Sequence, residues 1–115
     1  MLTIECVTID AVDAPALAAF WAELLGATVV TDDEGDVWIE RPGMPDLLFL
    51  PNSDARVVKN RLHLDLRPDD RDAEVARALA LGATRVDIGQ SSDVSWVVLA
   101  DPEGNEFCIL RARGV

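Results

Sequence analysis

Basic residues are scarce in this chain: 10 Lys and Arg stand against 21 Asp and Glu, for a formal net charge of −11. A phosphate backbone or an anionic lipid surface is repelled by such a field, and no Lys/Arg cluster offsets it, which argues against nucleic acid and membrane as partners. Acidity of this kind suits neutral or cationic ligands and is also a general route to solubility. Cysteine is sparse too. Cys6 and Cys108 are the only two, and a chain of this length buries enough surface to fold without a bridge, so both are expected to be free thiols. Long hydrophobic runs are missing: no stretch approaches the roughly 18 residues of a membrane helix. The opening Met1-Leu2-Thr3-Ile4-Glu5-Cys6 has neither a basic region nor an extended apolar one, and a cytoplasmic location is expected. Low-complexity segments and charge runs are lacking as well, while half the residues are hydrophobic. These features predict one globular domain over residues 1–115. Histidine occurs once, at His63.

What is present is a repeat. Leu25-Gly26-Ala27-Thr28-Val29-Val30 and Leu81-Gly82-Ala83-Thr84-Arg85-Val86 share five of six residues, 56 positions apart. Each phrase reads as a helix end, a glycine stop and a strand start, so the chain holds two copies of one supersecondary unit.

The first copy opens with a strand over Thr3 to Ile9, where Val7 and Ile9 share one face and Cys6, Thr8 and Asp10 the other. Asp13 is placed to cap a helix that tolerates Pro15 in its first turn and whose stripe is Leu17, Phe20, Trp21, Leu24 and Leu25. Gly26 ends it. Strands are predicted over Thr28 to Thr31, Asp36 to Glu40 and Asp46 to Leu50, then a polar linker over about 52–60. In the second copy Arg61 to Arg67 alternates, with Leu62, Leu64 and Leu66 opposite Arg61, His63, Asp65 and Arg67. Asp69 or Asp70 caps a helix carrying Val75, Ala78 and Leu79, and Gly82 stops it. Strands follow near Thr84 to Ile88, Val94 to Ala100 and Glu106 to Arg111, the last after the tight turn Asp101-Pro102-Glu103-Gly104-Asn105.

The fold class is therefore α+β: two tandem βαβββ modules, about 1–51 and 61–115, pairing their sheets into a concave, half-open, barrel-like cleft with the helices on the outer face. By strand alternation Val7, Ile9, Leu62, Leu64, Leu66, Phe107 and Ile109 face the helices. Cys6, Thr8, Asp10, Arg61, His63, Asp65, Glu106 and Cys108 face the hollow, which is the candidate ligand site.

Three phrases, Ala18-Ala19-Phe20-Trp21-Ala22-Glu23-Leu24-Leu25-Gly26, Asn60-Arg61-Leu62-His63-Leu64-Asp65-Leu66 and Asp101-Pro102-Glu103-Gly104-Asn105-Glu106-Phe107-Cys108, together with the repeat, resemble the vicinal oxygen chelate superfamily. It includes glyoxalase I, extradiol dioxygenases, fosfomycin-resistance enzymes and bleomycin-resistance proteins, and the nearest resemblance is to small bacterial glyoxalase-like domain proteins. The resemblance implies a homodimer with a small-molecule ligand. It also implies metal-ligand positions on the first and last strand of each module. Aligning Thr8-Ile9-Asp10 with His63-Leu64-Asp65 puts the first-strand positions at Cys6 and Arg61, the Asp-Pro-Glu-Gly-Asn turn puts a last-strand position at Cys108, and superposing Asp46 to Leu50 on Glu106 to Leu110 gives Leu48. A guanidinium and an aliphatic side chain donate nothing to a divalent cation, so no metal and no cofactor are expected. A softer site from Cys6, His63 and Cys108 is conceivable, but space-filling thiols are the simpler reading.

Two functions from different classes remain open. One is a metal-independent lyase or isomerase in which His63 transfers protons, oriented by Asp65, and Arg61 anchors an anionic oxygen. The other is a non-catalytic, ligand-sequestering protein of the drug-resistance type, in which Trp38 and Trp96 wall a planar cationic compound, with Cys6, Thr8, Asp10 and Cys108 lining the site. A self-neutralising polar network among Arg61, His63, Asp65, Asp10 and Thr8 would instead be purely structural. Trp21, on the helical stripe, is core.

Overall fold

Two stretches with one plan build the molecule. β1 (Cys6–Ala11) leads into α1 (Ala14–Leu25), β2 (Thr28–Thr31), β3 (Val37–Glu40) and β4 (Asp46–Pro51). β5 (Leu64–Leu66), α2 (Arg71–Leu81), β6 (Thr84–Arg85), β7 (Val97–Ala100) and β8 (Glu106–Ile109) repeat that order. The structure is a computed structural model that describes residues 1–52, 62–86 and 95–113. Arg61, most of the linker and parts of the strands expected near 84–88 and 94–100 lie outside the described residues.

The chain divides into two compact units, Met1–Ala55 and Arg56–Val115. Each holds one four-stranded sheet, ordered β1-β4-β3-β2 in the first and β5-β8-β7-β6 in the second. β1 runs parallel to β4, and β5 to β8, while every other pairing is antiparallel. A parallel pair needs a long crossover, and the helix that follows β1 or β5 begins it. The α+β class and the doubled βαβββ order are as the sequence implies, with open sheets rather than closed barrels.

Local chemistry sets the helix limits. Asp13 caps α1, its side chain accepting from the Ala16 N–H at 3.1 Å, and Gly26 closes it in the left-handed region at φ 66°. Of the two aspartates before α2 it is Asp70 that caps, accepting from the Ala73 N–H at 3.1 Å. In the first unit α1 buries Leu17, Phe20, Trp21 and Leu24 and lies against β3 and β4. The inward positions of those strands, Val37, Ile39, Leu47 and Phe49, are buried in turn. The Phe20 and Trp21 rings meet edge to face, 5.4 Å between centroids. Each large side chain so buried contributes roughly 1.5–3 kcal/mol. The second helix is leaner: Val75 and Ala78 are buried and Leu79 is half-buried.

Strand limits differ from the alternation pattern because pairing, not periodicity, ends a strand. β1 starts at Cys6 rather than Thr3 and runs on to Ala11, the span for which β4 supplies partners from Asp46 to Pro51. β5 comprises three residues, opposite Phe107, Cys108 and Ile109. Leu62 precedes it and is 84% exposed, so it does not face the helix as its alternation implied.

The β7–β8 turn is built by one carboxylate. Asp101 is 3% exposed; its Oδ1 accepts from the backbone N–H groups of Glu103 and Asn105, both at 2.9 Å, and Oδ2 accepts from Asn105 Nδ2 at 2.9 Å. This sets the start of β8 and hence the place of Cys108. Among the described residues no helix is long and apolar enough to cross a membrane.

Candidate functional site

In each sheet one face meets the helix, and the candidate polar residues lie on the other among apolar neighbours such as Leu48 and Val98. On β8 Phe107 and Ile109 are buried toward the helix, and Glu106 and Cys108 alternate with them. Asp65 is the ladder partner of Cys108, so the two side chains leave the sheet on the same side, as neighbours. His63 stands two residues before Asp65, and its Nδ1 lies 3.0 Å from Asp65 Oδ1, with the two side chains 47% and 50% exposed. Ligand atoms of His63, Asp65 and Cys108 all fall within 4.8 Å of one another. An imidazole, a carboxylate and a thiol thus share one spot, the last two on paired strands and His63 one residue before β5. A proton on Nδ1 would point at Asp65 and would leave Nε2 as the basic nitrogen of the neutral ring.

The first unit presents a different set. Cys6 is exposed and its Sγ lies 4.0 Å from Thr8 Oγ1, so it is not a space-filling core thiol. Both cysteines are free, and Cys108 is half-buried. Asp10 Oδ2 accepts from Asn52 Nδ2 at 3.2 Å. Thr8, Leu48 and Trp38 form a row across β1, β4 and β3. Trp38, half-buried on β3, donates its indole N–H to Glu40 Oε2 at 2.8 Å. Trp96 is 39% exposed and sits just before β7 rather than on a strand. Trp21 is buried at 2%. A second acidic group, Asp32, Glu34 and Asp36, is a turn: Asp32 Oδ1 accepts from the N–H groups of Glu34 and Asp36 at 3.0 and 2.9 Å.

The ladders correct the internal alignment. Leu48 pairs with Trp38, and Cys108 with Val98 at the same point of its own sheet, so Leu48 and Cys108 are counterparts. Their parallel neighbours, Thr8 and Asp65, are then counterparts too. The helix caps Asp13 and Asp70 agree. Cys6 therefore corresponds to His63, and Thr8 does not. Matching Asp10 to Asp65 by residue type misplaced the second strand by two positions. The family's ligand positions become Cys6, Leu48, His63 and Cys108, and Leu48 still offers no donor while no carboxylate is among them. That set does not fit a hard octahedral ion.

Among solved structures the chain is similar to a glyoxalase/bleomycin resistance protein/dioxygenase family enzyme from Burkholderia phytofirmans PsJN, at 23% identity over 96% of this chain and 99% of that one, with a TM-score of 0.74. It is similar to TnmS3, an antibiotic-binding protein from Streptomyces sp. CB03234, at 20% identity over 97% of both chains and a TM-score of 0.64. The bleomycin resistance determinant encoded on transposon Tn5 aligns at 20% identity over 94% of this chain and 96% of that one, with a TM-score of 0.63. At these identities the likeness is one of fold. No curated protein sequence matches the chain. The family model for the glyoxalase-like domain matches residues 6–110, which spans both units and all eight strands: the chain belongs to the glyoxalase-like domain family of the vicinal oxygen chelate superfamily.

Proposed function

We propose that the protein binds a small organic molecule at the sheet face carrying His63, Asp65 and Cys108, and acts on it by proton transfer as a metal-independent enzyme of the lyase or isomerase type. The observation that carries this reading is the 3.0 Å contact between His63 Nδ1 and Asp65 Oδ1. A carboxylate on Nδ1 fixes the ring and its tautomer and stabilises the imidazolium formed when Nε2 takes a proton. Asp65 is thus a positioning residue for His63. Arg61, as the anchor for an anionic oxygen, completes the reading from sequence alone.

Because His63 is the only histidine, its ring nitrogens are read without interference by ¹⁵N NMR. The expected neutral form is the Nδ1–H tautomer, and Asp65→Asn shifts the ring toward the Nε2–H form that free imidazole prefers. A wild-type ring already in the Nε2–H form overturns the reading.

Trp38 and Glu40 favour a second reading, ligand sequestration. An aromatic face beside a fixed carboxylate suits a planar cation. Saturable binding of such a compound, weakened by salt and by Trp38→Ala with no product formed, supports sequestration, with Cys6, Thr8, Asp10 and Trp96 as further contacts. Each sheet ends in edge strands, and covering one gives a physical motive for a homodimer, which native mass spectrometry tests.

A further inference from the structure

The geometry points to Cys108 as a nucleophilic thiol of this site, and to a small α,β-unsaturated carbonyl compound as the class of molecule it captures, held as a thioether. The inference rests on the His63–Asp65 reading above and adds the atom that attacks.

Cys108 is not an isolated cysteine. Its ladder partner is Asp65, and a His63 nitrogen, an Asp65 oxygen and Cys108 Sγ lie within 4.8 Å of one another. Nucleophile, base and the carboxylate that orients the base are the three parts of an activated thiol, and here all three lie together. Across the other side of β8 the partner of Cys108 is Val98, buried at 6%, so the thiol has an apolar flank. The half-exposure of His63 and Asp65 leaves an approach from solvent.

The step balances without any oxidant or leaving group. The Cys108 thiol proton passes to Nε2 of His63, and Asp65 stabilises the imidazolium on Nδ1. The sulfur lone pair forms an S–C bond at the β-carbon, and the C=C π pair moves to the α-carbon as an enolate. His63 returns the proton to the α-carbon. The net change is addition of S–H across the double bond. A soft thiolate favours this carbon over a hard carbonyl centre.

The chain carries its own control. Cys6 is exposed while Cys108 is half-buried, so access alone makes Cys6 the faster thiol. The test uses the full chain, freed of adventitious metal by a chelator, with limiting N-ethylmaleimide and peptide mass spectrometry to resolve the two sites. The expected result is Cys108 labelling about tenfold faster than Cys6, as a base-activated thiol does. His63→Asn removes that advantage and leaves the Cys6 rate unchanged. Cys108→Ser, checked for native circular dichroism, leaves Cys6 as the sole site at its wild-type rate. Faster labelling of Cys6, a Cys108 rate unaffected by His63→Asn, or a zinc ion that survives the chelator and blocks Cys108 overturns the inference. The wild-type imidazole tautomer separates the two failures: the Nδ1–H form with a slow Cys108 sinks the thiol alone, and the Nε2–H form sinks the dyad beneath it.

Discussion

Asp65 has two neighbours that the sequence separates very differently. Its link to His63 is legible in the alternation of one strand, since residues two apart share a face. Its link to Cys108 depends on β5 lying beside β8 in one particular register, which no local pattern states. That is why the thiol stood among generic lining residues and why the internal alignment slipped: residue identity pointed to Asp10, whereas the ladder points to Thr8. Asp101 is a similar case. The Asp-Pro-Glu-Gly-Asn phrase announces a turn, but not that a buried carboxylate takes up the N–H groups of Glu103 and Asn105. Asp101→Ala strands those two donors and is expected to cost about 2 kcal/mol, the low end of roughly 1–3 kcal/mol for each because both residues are half-buried. Urea unfolding measures it. Asp101→Asn, which keeps an acceptor oxygen, is expected to lose less than half as much.

The two glycine stops were readable as elements, because a helix stripe that breaks at Leu-Gly-Ala-Thr has few other interpretations. Their backbones are nevertheless unlike. Gly26 sits at φ 66° and ψ 38°, the left-handed well that asparagine also enters, and a Cβ there meets nothing within 4 Å. Gly82 sits at φ 121°, outside that well, and its Cβ would meet Pro102 Cγ at 3.6 Å. Gly26→Asn is therefore expected to cost under about 1 kcal/mol and Gly82→Asn about 2 kcal/mol or more. Equal losses in thermal unfolding would contradict the distinction. The helix starts behave alike: Asp13→Ala and Asp70→Ala each remove one cap bond and are each expected to cost about 1 kcal/mol, read from urea midpoints.

At the scale of the whole molecule the doubled order was the most legible feature, because a repeated phrase, two caps and two stops recur together and pairing rules leave few ways to arrange the strands. Strand ends and cross-strand partners were not, since they depend on which segment lies alongside. Charge acts at this scale too. With 21 acids and 10 bases, most carboxylates have no base to pair with. The described ion pairs, such as Arg77 to Glu74 at 2.7 Å and Arg71 to Asp72 at 3.2 Å, are surface contacts of small worth. Repulsion spread over the whole surface therefore outweighs them at low ionic strength. The screening length falls from roughly 30 Å at 0.01 M salt to about 8 Å at 0.15 M, shorter than most distances across a chain of this size. Potassium chloride at 0.15 M is expected to raise the melting temperature by a few degrees, corresponding to about 1 kcal/mol. A calorimetric scan in which salt lowers it would mean that local ion pairs, and not the net field, govern the electrostatic part of stability.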